Sequence, residues 1–153
     1  MARPEPLDED QRLLWKAYRD LYQGVAAHLQ EQLLRDAGLS GSEYAVLVAL
    51  SHARDGVLRP RDLCAELGWD RSRLSHLVRR MEHRGLVIRE ECNEDARGSL
   101  VRLTDAGSAA VEDAAPEHSE AIRRYFFDVL SKDELASLAR VFEKLLDNLA
   151  SSG

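Results

Sequence analysis

Residues 63–89 read LCAELGWDRSRLSHLVRRMEHRGLVIR, two helical apolar rhythms separated by a glycine. In the first, Leu63, Cys64 and Leu67 recur at helical spacing after Pro60, a residue suited to a first helical turn, and Gly68 ends the pattern. Cys64 therefore reads as a small core residue. Only Trp69 and Asp70 intervene before the next rhythm begins, and Asp70 is a good N-cap. Two helices joined by so tight a turn make a helix-turn-helix. Stepping the second helix at 100° per residue puts Leu74, Leu77, Val78 and Met81 on one face. Ser72, His76, Arg79 and His83 fall on the opposite face, flanked by Arg73, Ser75 and Arg80. One side is core and the other is all hydrogen-bond donors. From Arg71 to Gly85 this helix spans roughly 22 Å at about 1.5 Å per residue, a length that fits a DNA major groove.

The charge distribution points the same way. The chain of 153 residues has a formal charge of −6, which by itself argues against a polyanion partner. Residues 1–58 carry −3 and residues 103–153 carry −5, whereas residues 59–102 carry +2 and residues 71–84 carry +4. Every basic residue of that central segment is arginine, whose planar fork matches phosphate and guanine edges. An acidic chain that gathers its arginines on one helix face presents that face to an anion, while its acidic remainder limits indiscriminate binding.

After Gly85 the period shortens. LVIREEC, then NEDARG, then SLVRLT read as two short strands around a polar loop, a β-hairpin placed as a wing beside the recognition helix. Arg97 at the loop tip is placed to enter a narrow minor groove; on residues alone, an exposed pair with Asp95 is the equal alternative.

Towards the N-terminus, Leu14, Tyr18, Leu21, Val25, Leu29 and Leu33 recur every three or four positions from Asp8 to Asp36, predicting one long amphipathic helix stopped by Gly38. Ser40 and Glu43 form a capping-box pattern that opens a second helix, which ends at Asp55-Gly56. Beyond the wing, Thr104 caps a long helical stretch in which Pro116 is expected to kink or interrupt the path. Ser131 and Glu134 form a second capping box. It opens a closing helix striped by Leu135, Leu138, Val141, Phe142, Leu145, Leu146 and Leu149. The first and last helices are more apolar than one small domain can cover, so two chains are expected to pack through them as a homodimer.

Length, 44% hydrophobic and 31% charged residues describe one folded globular domain. The sequence shows neither a secretory h-region after its N-terminal arginine nor an apolar run of about 18 residues, so a cytoplasmic protein with no membrane partner is expected. Its five histidines show no i, i+4 ligand pair, its two cysteines no metal spacing, and no phosphate loop or nucleophile elbow is present. We expect no enzyme, no metal site and no cofactor.

The order of elements, together with LCAELGWDRSRLSHLVRRMEHRGLVIR, the wing sequence DARG and LTDAG at the following helix start, resembles the MarR family of bacterial transcriptional regulators over about residues 8–149. The resemblance implies a mainly α winged helix-turn-helix fold of about six helices plus a two-strand wing. The DNA-binding part would cover about residues 40–103, and the dimerisation helices about 8–37 and 105–150. It implies a homodimer on a pseudo-palindromic operator in double-stranded DNA, usually a repressor released by a small molecule or by oxidation. An Asp-x-Arg pair at the wing tip places its arginine on DNA in this family, and Asp95 and Arg97 match it.

On this reading Ser72, His76 and Arg79 reach base edges, while Arg73, Ser75 and Arg80 reach phosphates. An effector would sit in the crevice beside the dimerisation helices, with Trp15, Tyr18 and Tyr22 as candidate contacts; dimer packing is the competing role for these aromatics. Two rivals remain. A redox switch is opposed by the inward setting of Cys64 and by Glu90 and Glu91 beside Cys92, and the first helix has no cysteine, unlike peroxide-sensing relatives. A protein-binding winged helix would more often show an apolar patch where this chain shows arginines.

Overall fold

The computed structural model describes residues 4–91 and 98–153. Helix α1 runs Glu9–Ala37, α2 Gly41–His52, α3 Pro60–Leu67, α4 Arg71–His83, α5 Asp105–Ile122 and α6 Lys132–Ser151; the strands are β1 Val57–Leu58, β2 Val87–Glu91 and β3 Ser99–Leu103. No helix among the described residues is long and apolar enough to cross a membrane. The fold is the mainly α winged helix-turn-helix expected. A third strand is added by β1, which pairs with β3 through Val57 opposite Arg102 and Leu58 opposite Val101. Two residues are too few to show an alternation in sequence.

Local chemistry sets the boundaries of the helix-turn-helix. Pro60 occupies the start of α3, and Gly68 closes it at φ 67°, the left-handed conformation that favours glycine. Asp70 caps α4 by accepting from the backbone N–H of Arg73 at 2.8 Å. Gly85, at φ 75°, ends α4 while Leu86 N–H donates to Met81 O at 3.0 Å, so the chain turns directly into β2.

Two expectations need correction. Ser40 accepts from the Glu43 N–H at 3.1 Å, but the Glu43 carboxylate meets Arg84, so only half of that capping box forms. The box at Ser131 and Glu134 is complete. Pro116 does not interrupt α5, which continues to Ile122; a π-helical segment, Arg123–Phe127, follows instead. Proline removes one ladder donor, and here the helix persists through that loss.

The chain divides into two compact units, Leu29–His118 and the described part of Met1–His28 together with Ser119–Gly153. In the first, Leu33 and Leu39 pack with Leu47, Leu50, Leu63, Leu74, Leu77, Val78, Met81, Val87 and Val101 into a sealed core. Gln32, only 5% exposed, is satisfied within it. Its Oε1 lies 2.9 Å from His118 Nδ1 and its Nε2 donates to Asp36, while the His118 ring packs on Tyr44 with centroids 4.6 Å apart. Burial holds the His118 imidazole below its ordinary pKa.

The base of the wing is fixed at Thr104. Its hydroxyl donates to Gly85 O at 2.6 Å and accepts from Gly107 N–H at 3.0 Å, capping α5 while tying it to the end of α4. A Cβ on Gly107 would lie 2.1 Å from the Leu86 carbonyl oxygen, so α5 can begin where it does only because that position has no side chain. This explains LTDAG physically.

In the second unit, no residue of α6 is buried, and Leu145, Leu146 and Leu149 are all exposed. On α1 the same holds for Leu14, Trp15, Tyr18, Leu21 and Tyr22. Much of the apolar stripe expected from periodicity on each helix is exposed in the single chain, although Leu33 at the end of the α1 stripe lies in the core.

Candidate nucleic-acid interface

Helix α4 buries Leu74, Leu77, Val78 and Met81, and this fixes the rotation of the whole helix. Ser72, Arg73, Ser75, His76, Arg79 and Arg80 are all exposed on the remaining surface. His83 is exposed with them.

The arginines of this segment are not equivalent. Arg84 donates to the Glu43 carboxylate and, at 3.0 Å, to Gly38 O, anchoring the end of α4 to the turn between α1 and α2. Arg73 stacks its guanidinium 4.1 Å over the Trp69 ring and donates to Ser42 Oγ at 3.2 Å. A cation held over an indole face loses little rotamer freedom when it meets a phosphate. Arg71, Arg79 and Arg80 form no ion pair with the described residues. Further along, Glu82 accepts from the Arg89 backbone N–H at 3.0 Å and pairs with its guanidinium, and these bonds hold its carboxyl below the usual range. Arg102 does the same to Glu90 at 2.6 Å and 3.0 Å. Among the described residues Arg61, Arg84, Arg89 and Arg102 each lie against a carboxylate, whereas none of the four arginines in the first three turns of α4 does.

Sequence reasoning missed the Trp69 platform and the Arg84 to Glu43 anchor. Trp69 stands four residues before Arg73, a helical neighbour spacing that was available as a signal; nothing local announced Glu43 as the partner of Arg84. If Arg84 positions α4 rather than touching DNA, Arg84→Gln should weaken DNA binding by roughly fivefold, about 1 kcal/mol for a partly exposed charged pair. The same change in a Glu43→Gln background should then add little. Equal losses in both backgrounds, measured by fluorescence anisotropy, would instead mean direct contact.

Asp95, Arg97 and Cys92 lie outside the described residues. Cys64 is a free, buried core thiol. Among the described residues no group of three or more His, Cys, Asp or Glu side chains could hold a metal ion. Trp15 and Tyr18 stack with centroids 5.2 Å apart on the exposed face of α1, beside Tyr22.

A buried-faced helix-turn-helix, a short antiparallel sheet beside it and an arginine-bearing outer surface define a winged helix-turn-helix DNA-binding protein. The model of the MarR family matches residues 37–98, the segment from the end of α1 into the wing. Over the full chain the fold is similar to Sco3205 of Streptomyces coelicolor, a MarR family transcriptional regulator solved in complex with DNA. The two share 35% identity, with 96% of this chain and 92% of that one covered and a TM-score of 0.90. It is also similar to AbsC of Streptomyces coelicolor, a MarR family transcriptional regulator, at 30% identity, 97% and 99% coverage and a TM-score of 0.88. The transcriptional repressor MprA of Escherichia coli K12 is 22% identical over 138 residues, 84% of this chain and 78% of that one. The chain belongs to the MarR family of DNA-binding transcriptional regulators.

Proposed function

We propose that the chain is a homodimeric repressor that binds a pseudo-palindromic operator and is released by a small molecule. The observation that carries this reading is a pairing: α4 turns arginines outward over a sealed core, while α1 and α6 leave apolar faces uncovered. Two recognition helices held by a symmetric dimer enter successive major grooves when they stand about 34 Å apart. The outer helices, about residues 8–37 and 105–150, supply the dimer in this reading, and Trp15, Tyr18 and Tyr22 belong to that face. An effector needs only to prefer a different spacing; its differential affinity, typically about 1 to 3 kcal/mol, is the coupling. MprA, named as a repressor, supports the sign of regulation. Cys64, sealed in the core, is poorly placed for a redox switch.

Within the interface, Ser72, His76 and Arg79 read base edges. Arg73, Ser75 and Arg80 hold phosphates, and the wing pair Asp95 and Arg97 completes the contact. Arg79→Ala should relax sequence preference at one base pair and weaken operator binding by about 1 to 3 kcal/mol, whereas Arg80→Ala should weaken every duplex alike. Equal loss on operator and scrambled DNA for Arg79→Ala would remove it from the base-reading set.

The overall test is binding of the protein to its own upstream DNA and to a scrambled duplex between 50 and 200 mM salt. A preference of about 10³ or more with a steep salt slope is expected. Weak and equal binding to DNA selected genome-wide would refute the regulator reading.

A further inference from the structure

Arg73 leaves α4 in its first turn, three residues after Asp70 and four after Trp69. The Asp70 carboxylate stands at the right spacing to neutralise it, yet the two side chains form no ion pair. Asp70 is engaged as the helix cap instead, its Oδ1 accepting from the Arg73 backbone N–H at 2.8 Å. The Arg73 guanidinium is held by two neutral groups. It lies 4.1 Å over the centroid of the Trp69 ring, and its Nη2 donates to Ser42 Oγ of α2 at 3.2 Å. Neither contact cancels the charge, and contact through the face of the planar fork leaves its other edge donors available.

Trp69 is itself fixed by the close of α3. Gly68 takes the left-handed conformation, and the Trp69 N–H donates back to Cys64 O at 3.1 Å. That closure sets the indole half-buried against the core cluster, so Arg73 lies on a ring that is already immobile. A free arginine must give up rotamer freedom to grip a phosphate, whereas one laid on a fixed ring has lost much of it before DNA arrives. Among the described residues no other arginine of α4 lies over an aromatic ring.

We propose that Trp69 is a positioning residue for DNA binding, one that pre-sets Arg73, left uncancelled by Asp70, as a clamp for a backbone phosphate. The role rests on the reading of Arg73 as a phosphate contact, and the test separates the two.

Anisotropy of the full-length protein is read on its own upstream DNA and on a scrambled duplex, with circular dichroism to show that each variant is folded at the binding temperature. Trp69→Leu and Trp69→Met keep an apolar side chain against the core without a ring face; Trp69→Phe keeps a face. Loss of the ring should weaken binding about threefold per half-site, hence about tenfold in a homodimer, and alike on both duplexes. Trp69→Phe should stay within about threefold of the parent. Arg73→Gln should weaken both duplexes at least as much as loss of the ring, and in that background Trp69→Leu should add less than about twofold. An undiminished loss in the Arg73→Gln background would mean that the indole acts through the fold or touches DNA itself, and would overturn the proposal. So would a loss confined to the upstream DNA, a Phe variant as weak as Leu and Met, or parental binding by folded Leu and Met variants; each leaves Arg73 as a phosphate contact. Parental binding by Arg73→Gln would remove Arg73 from the interface and the role of Trp69 with it.

Discussion

Leu145→Asp with Leu149→Asp should convert the protein to a monomer and lower its operator affinity by at least about a hundredfold. Both side chains stand on the closing helix, 56% and 67% exposed, in a stripe that also includes Val141, Phe142 and Leu146. A chain of this size does not leave so continuous an apolar surface in water without a partner, since each such leucine gains about 1.5 to 3 kcal/mol on burial. In a symmetric interface each substitution appears twice, so four carboxylates would be forced into apolar contact. Losing the second recognition helix then removes the effective-concentration advantage of linked half-sites, a factor of about 10² to 10⁴. Analytical ultracentrifugation and operator anisotropy check the two halves of the expectation. Circular dichroism should show the helices retained, because α6 buries no residue within its own chain. A variant that stays dimeric with parental affinity would place the dimer face elsewhere.

Gly107→Ala should destabilise the protein by about 3 kcal/mol, lowering the thermal midpoint by roughly 10 °C. The sign is what makes this test sharp. Inside an ordinary helix the same substitution stabilises by nearly 1 kcal/mol, because glycine is the poorer helix former. At this position the added Cβ meets the Leu86 carbonyl oxygen at 2.1 Å and Leu103 Cδ1 at 2.8 Å, and backbone cannot move aside as a side-chain end can. The start of α5 would have to lift from the junction of α4 and β2, straining the bond by which Thr104 holds Gly85. Operator binding should fall as well, since that junction fixes the wing against the recognition helix. A rise in thermal midpoint would mean that α5 is not seated this closely on Leu86.

The uncovered stripes and the close approach at Gly107 differ in how far they could be read from residues alone. The stripe on α6 is a matter of spacing: Leu138, Val141, Phe142, Leu145 and Leu149 repeat at helical intervals, and any helix formed from them must share one face. The contact at Gly107 is a matter of where two distant backbones meet. LTDAG marks a helix start, but only the folded chain shows that its glycine sits against Leu86.

What the sequence determined by itself was whatever depends on neighbours within about one helical turn. The rotation of α4 followed from Leu74, Leu77, Val78 and Met81, its start from Asp70, the close of α3 from Gly68, and the capping box of α6 from Ser131 and Glu134. The family followed from the same local order.

Tertiary structure alone decided which arginines are available. Arg84 finds Glu43 and Gly38 across 41 and 46 residues of chain, Arg73 reaches Ser42 across 31, and Arg102 reaches Asp55 O across 47. It also drew the Glu43 carboxylate away from its capping box, paired the two-residue strand Val57–Leu58 with β3, and carried α5 through Pro116. The physical reason is the same in each case. Periodicity, caps and turns are set by contacts a few residues apart, whereas a charged side chain chooses among all partners that folding brings within about 3 Å, and their sequence separation carries no trace of that choice.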